Sequence, residues 1–147
     1  MKIFLTGSSG FIGQNLTKKL AGNHEIHHMS SNLLDHSKVR QELFDADPDI
    51  IVHLAARTEV QKSFYEQVAF SDINYVGTVN LIEAAAKLPN LKNFVFASTM
   101  EVYGWQPISD EARDKGKPES PVLFDENTPT NPNAPYAVAK LGCEYYL

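Results

Sequence analysis

Apolar residues fall into short blocks whose spacing changes along the chain. Ile3-Phe4-Leu5 is an unbroken apolar run that halts at Gly7, the pattern of a strand buried on both faces. From Phe11 the apolar positions become Phe11, Ile12, Leu16 and Leu20, which share one helical face, and Gly22-Asn23 closes that helix. Residues 25–29 read as a weaker strand, followed by a Ser30-Ser31-Asn32 loop. Val39, Leu43 and Phe44 mark a second helix, ended by the Asp47-Pro48-Asp49 turn. Residues 50–54 form the clearest strand, a long helix is expected from about 63 to 87, and residues 93–97 give a fourth strand. Between Gly104 and Pro135 periodicity gives way to proline and charge, which reads as a long loop over one end of the sheet. Residues 136–147 return to helical spacing. This alternation predicts one α/β domain over residues 1–147, a doubly wound parallel sheet with helices on both faces.

Composition narrows the function. The 147 residues, 43% hydrophobic, suffice for a core without disulfide or metal staples. Cys143 is the single cysteine and cannot form an internal bridge, which fits a reducing, cytoplasmic setting. The net charge of −5 and the lack of a basic cluster exclude the electrostatic footprint of a nucleic-acid or anionic-membrane partner. No apolar run approaches the roughly 18 residues of a membrane span, and the N-terminus lacks a leader pattern. His24, His27 and His28 cluster without cysteine or carboxylate companions, so no metal site is expected.

Gly7-Ser8-Ser9-Gly10-Phe11-Ile12-Gly13 joins the first strand to the first helix. Glycines there allow a tight turn, close approach of backbone to phosphate and close helix–sheet packing, while the helix N-terminus presents N–H groups to a pyrophosphate. Thr99 follows a strand's carboxyl end, where ligands of such sheets bind. Tyr136 and Lys140, four apart, share a helix face, so an ammonium can sit near a phenol and lower its pKa. A base tuned toward neutral pH is what hydride chemistry on an alcohol requires.

Five motifs stand in one order: Thr6-Gly7-x-x-Gly10-x-x-Gly13, His53-Leu54-Ala55-Ala56, Asn74-x-x-Gly77-Thr78, Ser98-Thr99-Met100-Glu101-Val102-Tyr103-Gly104, and Tyr136-x-x-x-Lys140 preceded by Glu126, Pro129 and Pro132. Together they resemble the extended short-chain dehydrogenase/reductase family of nucleotide-sugar epimerases, dehydratases, decarboxylases and reductases. The resemblance implies a Rossmann-like fold and an NAD cofactor, with NADP open. That cofactor would be bound by Gly7, Gly10, Phe11, Ile12, Gly13, Ser30, Leu34, Asp35, Leu54, Ala55, Ala56, Tyr136 and Lys140. It further implies a catalytic Thr99, Tyr136 and Lys140, with Glu101 as the extra acid or base of dehydratases and decarboxylases. Met100 stands where one dehydratase subgroup has an aspartate, and a thioether transfers no proton.

Several alternatives stay open: Ser98 as the catalytic hydroxyl, the identity of the nucleotide sugar, and a non-catalytic dinucleotide-binding module. No acidic residue ends the second strand, where one would select NAD; Ser30 stands there instead. Tyr103 and Trp105 are candidates to line a substrate pocket. Members of this family continue to about twice this length. The expectation is therefore a C-terminally truncated unit, without the substrate domain, whose uncovered sheet edge and helix face favour a homodimer or other self-association.

Overall fold

The computed structural model describes residues 1–104 and 123–147. Four parallel strands, β1 (Lys2–Thr6), β2 (Glu25–His28), β3 (Ile50–His53) and β4 (Asn93–Phe96), form one sheet in the order β2-β1-β3-β4. Register is even throughout: Ile3 lies opposite Ile26 and Ile50, and Val52 opposite Val95. The connections from β1 to β2 and from β2 back past β1 to β3 run in opposite directions. Right-handed crossovers then place their helices, α1 (Phe11–Leu20) and α2 (His36–Ala46), on opposite faces. This is the doubly wound architecture.

β1 is buried on both sides, as its unbroken apolar run requires. Phe4 and Ile51 join Val39 and Leu43 of α2 and Leu81, Ala84 and Ala85 of α5 (Gly77–Ala85) in the main core cluster. Alternation turns Ile3 and Leu5 to the other face. β4 is one edge of the sheet among the described residues, and its Val95 is half exposed.

The expected helix over 63–87 is interrupted. A single turn, α3 (Val60–Ser63), closes as the Ser63 hydroxyl donates to the Val60 carbonyl at 2.6 Å. The chain then restarts as α4 (Gln67–Ser71), passes through a π-turn at Asp72–Val76 and continues as α5. The π-turn aims Asn74 inward, where its amide brackets Arg57, accepting from the backbone N–H and donating to the carbonyl at 2.8 Å each. That long-range pairing, absent from any local periodicity, is the physical reason for the irregularity.

Asp47, in the left-handed region at φ 40°, ends α2 where the turn was expected. A 3₁₀ turn at Met100–Tyr103 precedes the unperiodic stretch, whose described part holds no helix or strand until Pro135 opens α6 (Pro135–Glu144) as a first-turn proline. Residues 105–122 of that stretch, with Trp105, lie outside the described residues. Among the described residues no helix is long and apolar enough to cross a membrane, and no group of three His, Cys, Asp or Glu could hold a metal ion.

Candidate functional site

Because β2 and β3 lie on opposite sides of β1, the carboxyl ends of β1 and β3 part to leave a crevice. A cavity of about 370 Å³ opens there. Gly7, Gly10, Phe11, Ile12 and Gly13 line one wall, and Leu54, Ala56 and Thr58 another. Ala97 and Ser98 after β4, with Tyr136 and Lys140 of α6, complete it.

The glycine loop is shaped by two close approaches. Gly7 has φ +69°, and a methyl group there would lie 2.6 Å from the Ala55 nitrogen. A methyl on Gly13 would lie 2.2 Å from the Gly7 carbonyl oxygen and 2.7 Å from Cα of Ser8. Both obstacles are backbone, so neither can swing aside. Gly13→Ala is accordingly expected to cost about 1–3 kcal/mol through overpacking. Thermal melting checks this, and an unchanged Tm would show that the loop gives way freely.

Gly10 is the N-cap of α1, without a side-chain cap or an acidic residue in the first turn. The uncapped N–H groups and the positive helix end therefore sit at the cavity. Phe11 and Ile12, 85% and 62% exposed, flank them.

Beneath the crevice runs a buried polar chain with one direction. The Ala55 N–H donates to Thr6 Oγ1 (3.0 Å), and the Thr6 hydroxyl bonds His53 Nδ1 (2.6 Å). His53 Nε2 reaches Thr78 Oγ1 (2.8 Å), whose hydroxyl donates to the Asn74 carbonyl (2.8 Å). Since Thr78 spends its proton on Asn74, the imidazole carries its hydrogen on Nε2 and accepts at Nδ1. Burial, with Lys140 nearby, pushes His53 down to about 3, so it is neutral. Cys143 Sγ also donates to the Asn74 carbonyl at 3.1 Å, and burial raises its pKa. This thiol is a packing and hydrogen-bonding group.

Lys140 is 2% exposed. Its Nζ donates to the Ala97 carbonyl at 2.7 Å and lies 4.4 Å from the Phe96 ring centre. Burial lowers it to about 8. Tyr136 is shifted upward, first by burial and further by the Glu101 carboxylate, while a hydrogen bond with Thr99 works the other way. The expected lowering of the tyrosine by Lys140 is thus not realised in this state, because the ammonium is anchored to Ala97 and the phenol is desolvated. Thr99 Oγ1 also accepts from the Glu101 N–H at 3.3 Å. The Ser98 hydroxyl instead bonds Glu144 on α6, which leaves Thr99 as the hydroxyl turned to Tyr136.

The remaining candidates lie off this cavity's walls. Ala55 backs the glycine turn. Asp35 caps α2, accepting from the Lys38 N–H at 3.1 Å, and pairs with the Lys38 ammonium at 3.0 Å. Leu34 is partly exposed, its N–H held by Asn32 at 3.0 Å. Ser30 is bound by Glu42. Tyr103 stacks on Phe124, ring centres 5.2 Å apart. The sequence reading did not single out Thr58, Ala97 or Glu42. Position just past a strand end could have flagged the first two, whereas Glu42 carries no local signal.

The family model for the NAD dependent epimerase/dehydratase family matches residues 3–147. The chain belongs to that family. Among relatives, a dTDP-D-glucose 4,6-dehydratase of Dictyostelium discoideum is 32% identical over 99% of this chain and 39% of its own length. The UDP-glucose 4-epimerase of Thermus thermophilus, solved in complex with NAD, superposes with a TM-score of 0.82 at 26% identity, covering 99% of this chain and 49% of that one. RMD from Pseudomonas aeruginosa, complexed with NADPH, gives 0.78 at 29%, covering 99% and 47%. The chain thus spans about half the length, or less, of these epimerase/dehydratase relatives. Its doubly wound sheet is the Rossmann-like fold of the group.

Proposed function

We propose that residues 1–147 form the dinucleotide-binding and proton-transfer part of a nicotinamide-dependent nucleotide-sugar epimerase or dehydratase. The observation that carries this reading is one cavity with the uncapped N-terminus of α1 on one side and Tyr136 and Lys140 on the other. The residues fit the cofactor. Gly7, Gly10 and Gly13 keep side chains out of the space a pyrophosphate needs, and the first-turn N–H groups supply its donors. NAD, found with the Thermus epimerase, and NADP, the form with RMD, share this chemistry.

When bound, the cofactor supplies a nicotinamide that accepts and returns a hydride. The chain's own residues manage the proton. Tyr136 Oη, near the Thr99 side chain, takes the proton of a sugar hydroxyl as it becomes a carbonyl, or gives one back. Thr99 Oγ1 is fixed by the Glu101 N–H and orients that hydroxyl. Lys140, cationic below pH about 8, stands by to favour the phenolate and to hold ribose hydroxyls. Glu101 is close enough to influence Tyr136, which supports a further acid–base role after a keto-sugar forms, while Met100 cannot contribute one.

We place the protein in the cytoplasm, in keeping with its single unpaired cysteine. Self-association is proposed through the α4–α6 face, where Val68 and Val138 are 73% and 56% exposed beside an apolar cavity of about 650 Å³.

The test is titration with NADH and NADPH, followed by turnover with UDP- and dTDP-sugars. Micromolar binding and a keto-sugar or epimerised product are expected. Binding without turnover would favour the non-catalytic module, and no binding at millimolar cofactor would sink the reading.

A further inference from the structure

The carboxyl end of β2 lies beside the glycine loop, since β2 pairs in parallel with β1 and the Met29 N–H donates to the Leu5 carbonyl at 3.0 Å. In sheets of this kind an acidic residue there meets the ribose diol of NAD, or a cation there receives the 2′-phosphate of NADP. The loop that follows the strand provides neither there, carrying Ser30 and Ser31 instead.

The structure brings a carboxylate to that place from a different element. Glu42 of α2 accepts at Oε1 from the Ser30 N–H (2.8 Å), the Ser30 hydroxyl (3.1 Å) and His27 Nε2 (3.0 Å). At Oε2 it accepts from the Ser31 N–H (2.9 Å). Its side chain is 13% exposed. Burial opposes ionisation, but the hydrogen bonds from Ser31, His27 and the two backbone N–H groups outweigh it and hold the carboxyl at about 2.

We propose that Glu42 selects the cofactor without a 2′-phosphate, taking from α2 the part that the end of β2 does not play. This rests on the dinucleotide reading above. Two physical consequences lead to it. The Ser30 N–H, Ser30 hydroxyl and Ser31 N–H are the donors a 2′-phosphate would use, and an internal anion already occupies them. A phosphate carrying close to two charges would also face that fixed carboxylate at short range. The cations of α2 do not compensate: Lys38 is paired with Asp35, and Arg40 lies over the Phe44 ring at 5.6 Å. A ribose diol only needs acceptors, and Oε2 has a lone pair to spare.

The experiment is equilibrium titration of this chain with NADH and with NADPH, read by reduced-nicotinamide fluorescence, for the parent, E42Q and E42A. The parent is expected to bind NADH at least about tenfold more tightly. Both variants should narrow that ratio to below about threefold, mainly by gaining NADPH affinity. A parent that binds NADPH as well as NADH overturns the inference yet leaves the dinucleotide reading standing. So does a folded variant, verified by its melting curve, whose ratio is unchanged. If neither variant folds, the parent's ratio decides alone. Failure of both cofactors to bind would remove the dinucleotide reading itself.

Discussion

Tyr136→Phe is expected to lower nucleotide-sugar turnover about 10²–10⁴-fold, the range that loss of a positioned acid–base group produces. Cofactor affinity should change only a few-fold, because the ring that helps line the cavity is kept. The loss should appear in kcat and in kcat/KM alike, since the hydroxyl acts where the proton moves. Thr99→Val, which removes the hydroxyl's partner but leaves Tyr136 in place, should cost less than Tyr136→Phe. Single-turnover kinetics with the bound cofactor followed by absorbance separates these steps. A Tyr136→Phe protein that keeps a tenth or more of parental turnover would hand the proton to another group, with Glu101 the first to suspect.

The second large effect concerns stability and acid. His53 in the folded chain sits near 3, against about 6.5 for an exposed imidazole. Below pH 6.5 the unfolded chain binds a proton at this residue that the folded chain refuses, so falling pH favours unfolding. The contribution is fully present above pH 6.5 and drains away toward pH 3, at about 1 kcal/mol per pH unit and several kcal/mol in all. Glu42 adds a separate loss only below about pH 4.5, as pH falls toward its folded value of about 2. Urea unfolding between pH 6.5 and 5 therefore isolates the histidine. A His53→Asn protein should be less stable at pH 7, having lost hydrogen bonds to Thr6 and Thr78, but its stability should no longer fall with pH in that interval. A slope that survives the substitution would place the titrating group elsewhere.

Much of this was legible in the residues themselves, and the reasons differ by element. β1 and β3 were plain because a strand buried on both faces leaves an unbroken apolar run. The glycine turn was plain because few residues tolerate its backbone and its crowding. The spacing of Tyr136 and Lys140 put them on one helix face, and both line the cavity, but the spacing could not say what Nζ would bind; Ala97 decides that from 43 positions away. Glu42 stayed hidden for the same reason, being one more charge on a solvated helix until Ser30 and Ser31 fold against it. The break before α4 and the π-turn also escaped, since Asn74 reads as an ordinary helical residue unless Arg57 is known to lie opposite.

That π-turn has a mechanical consequence. An added residue within a helix rotates everything after it by roughly 100° relative to everything before it. Gln67 and Ser71 before the turn, with Tyr75 inside it, form a stripe that looks toward α6; after it, Leu81, Ala84 and Ala85 look toward α2 and the sheet. One continuous rod is thereby given two headings, and the half of the molecule that holds the tyrosine is locked in phase with the half that holds the core.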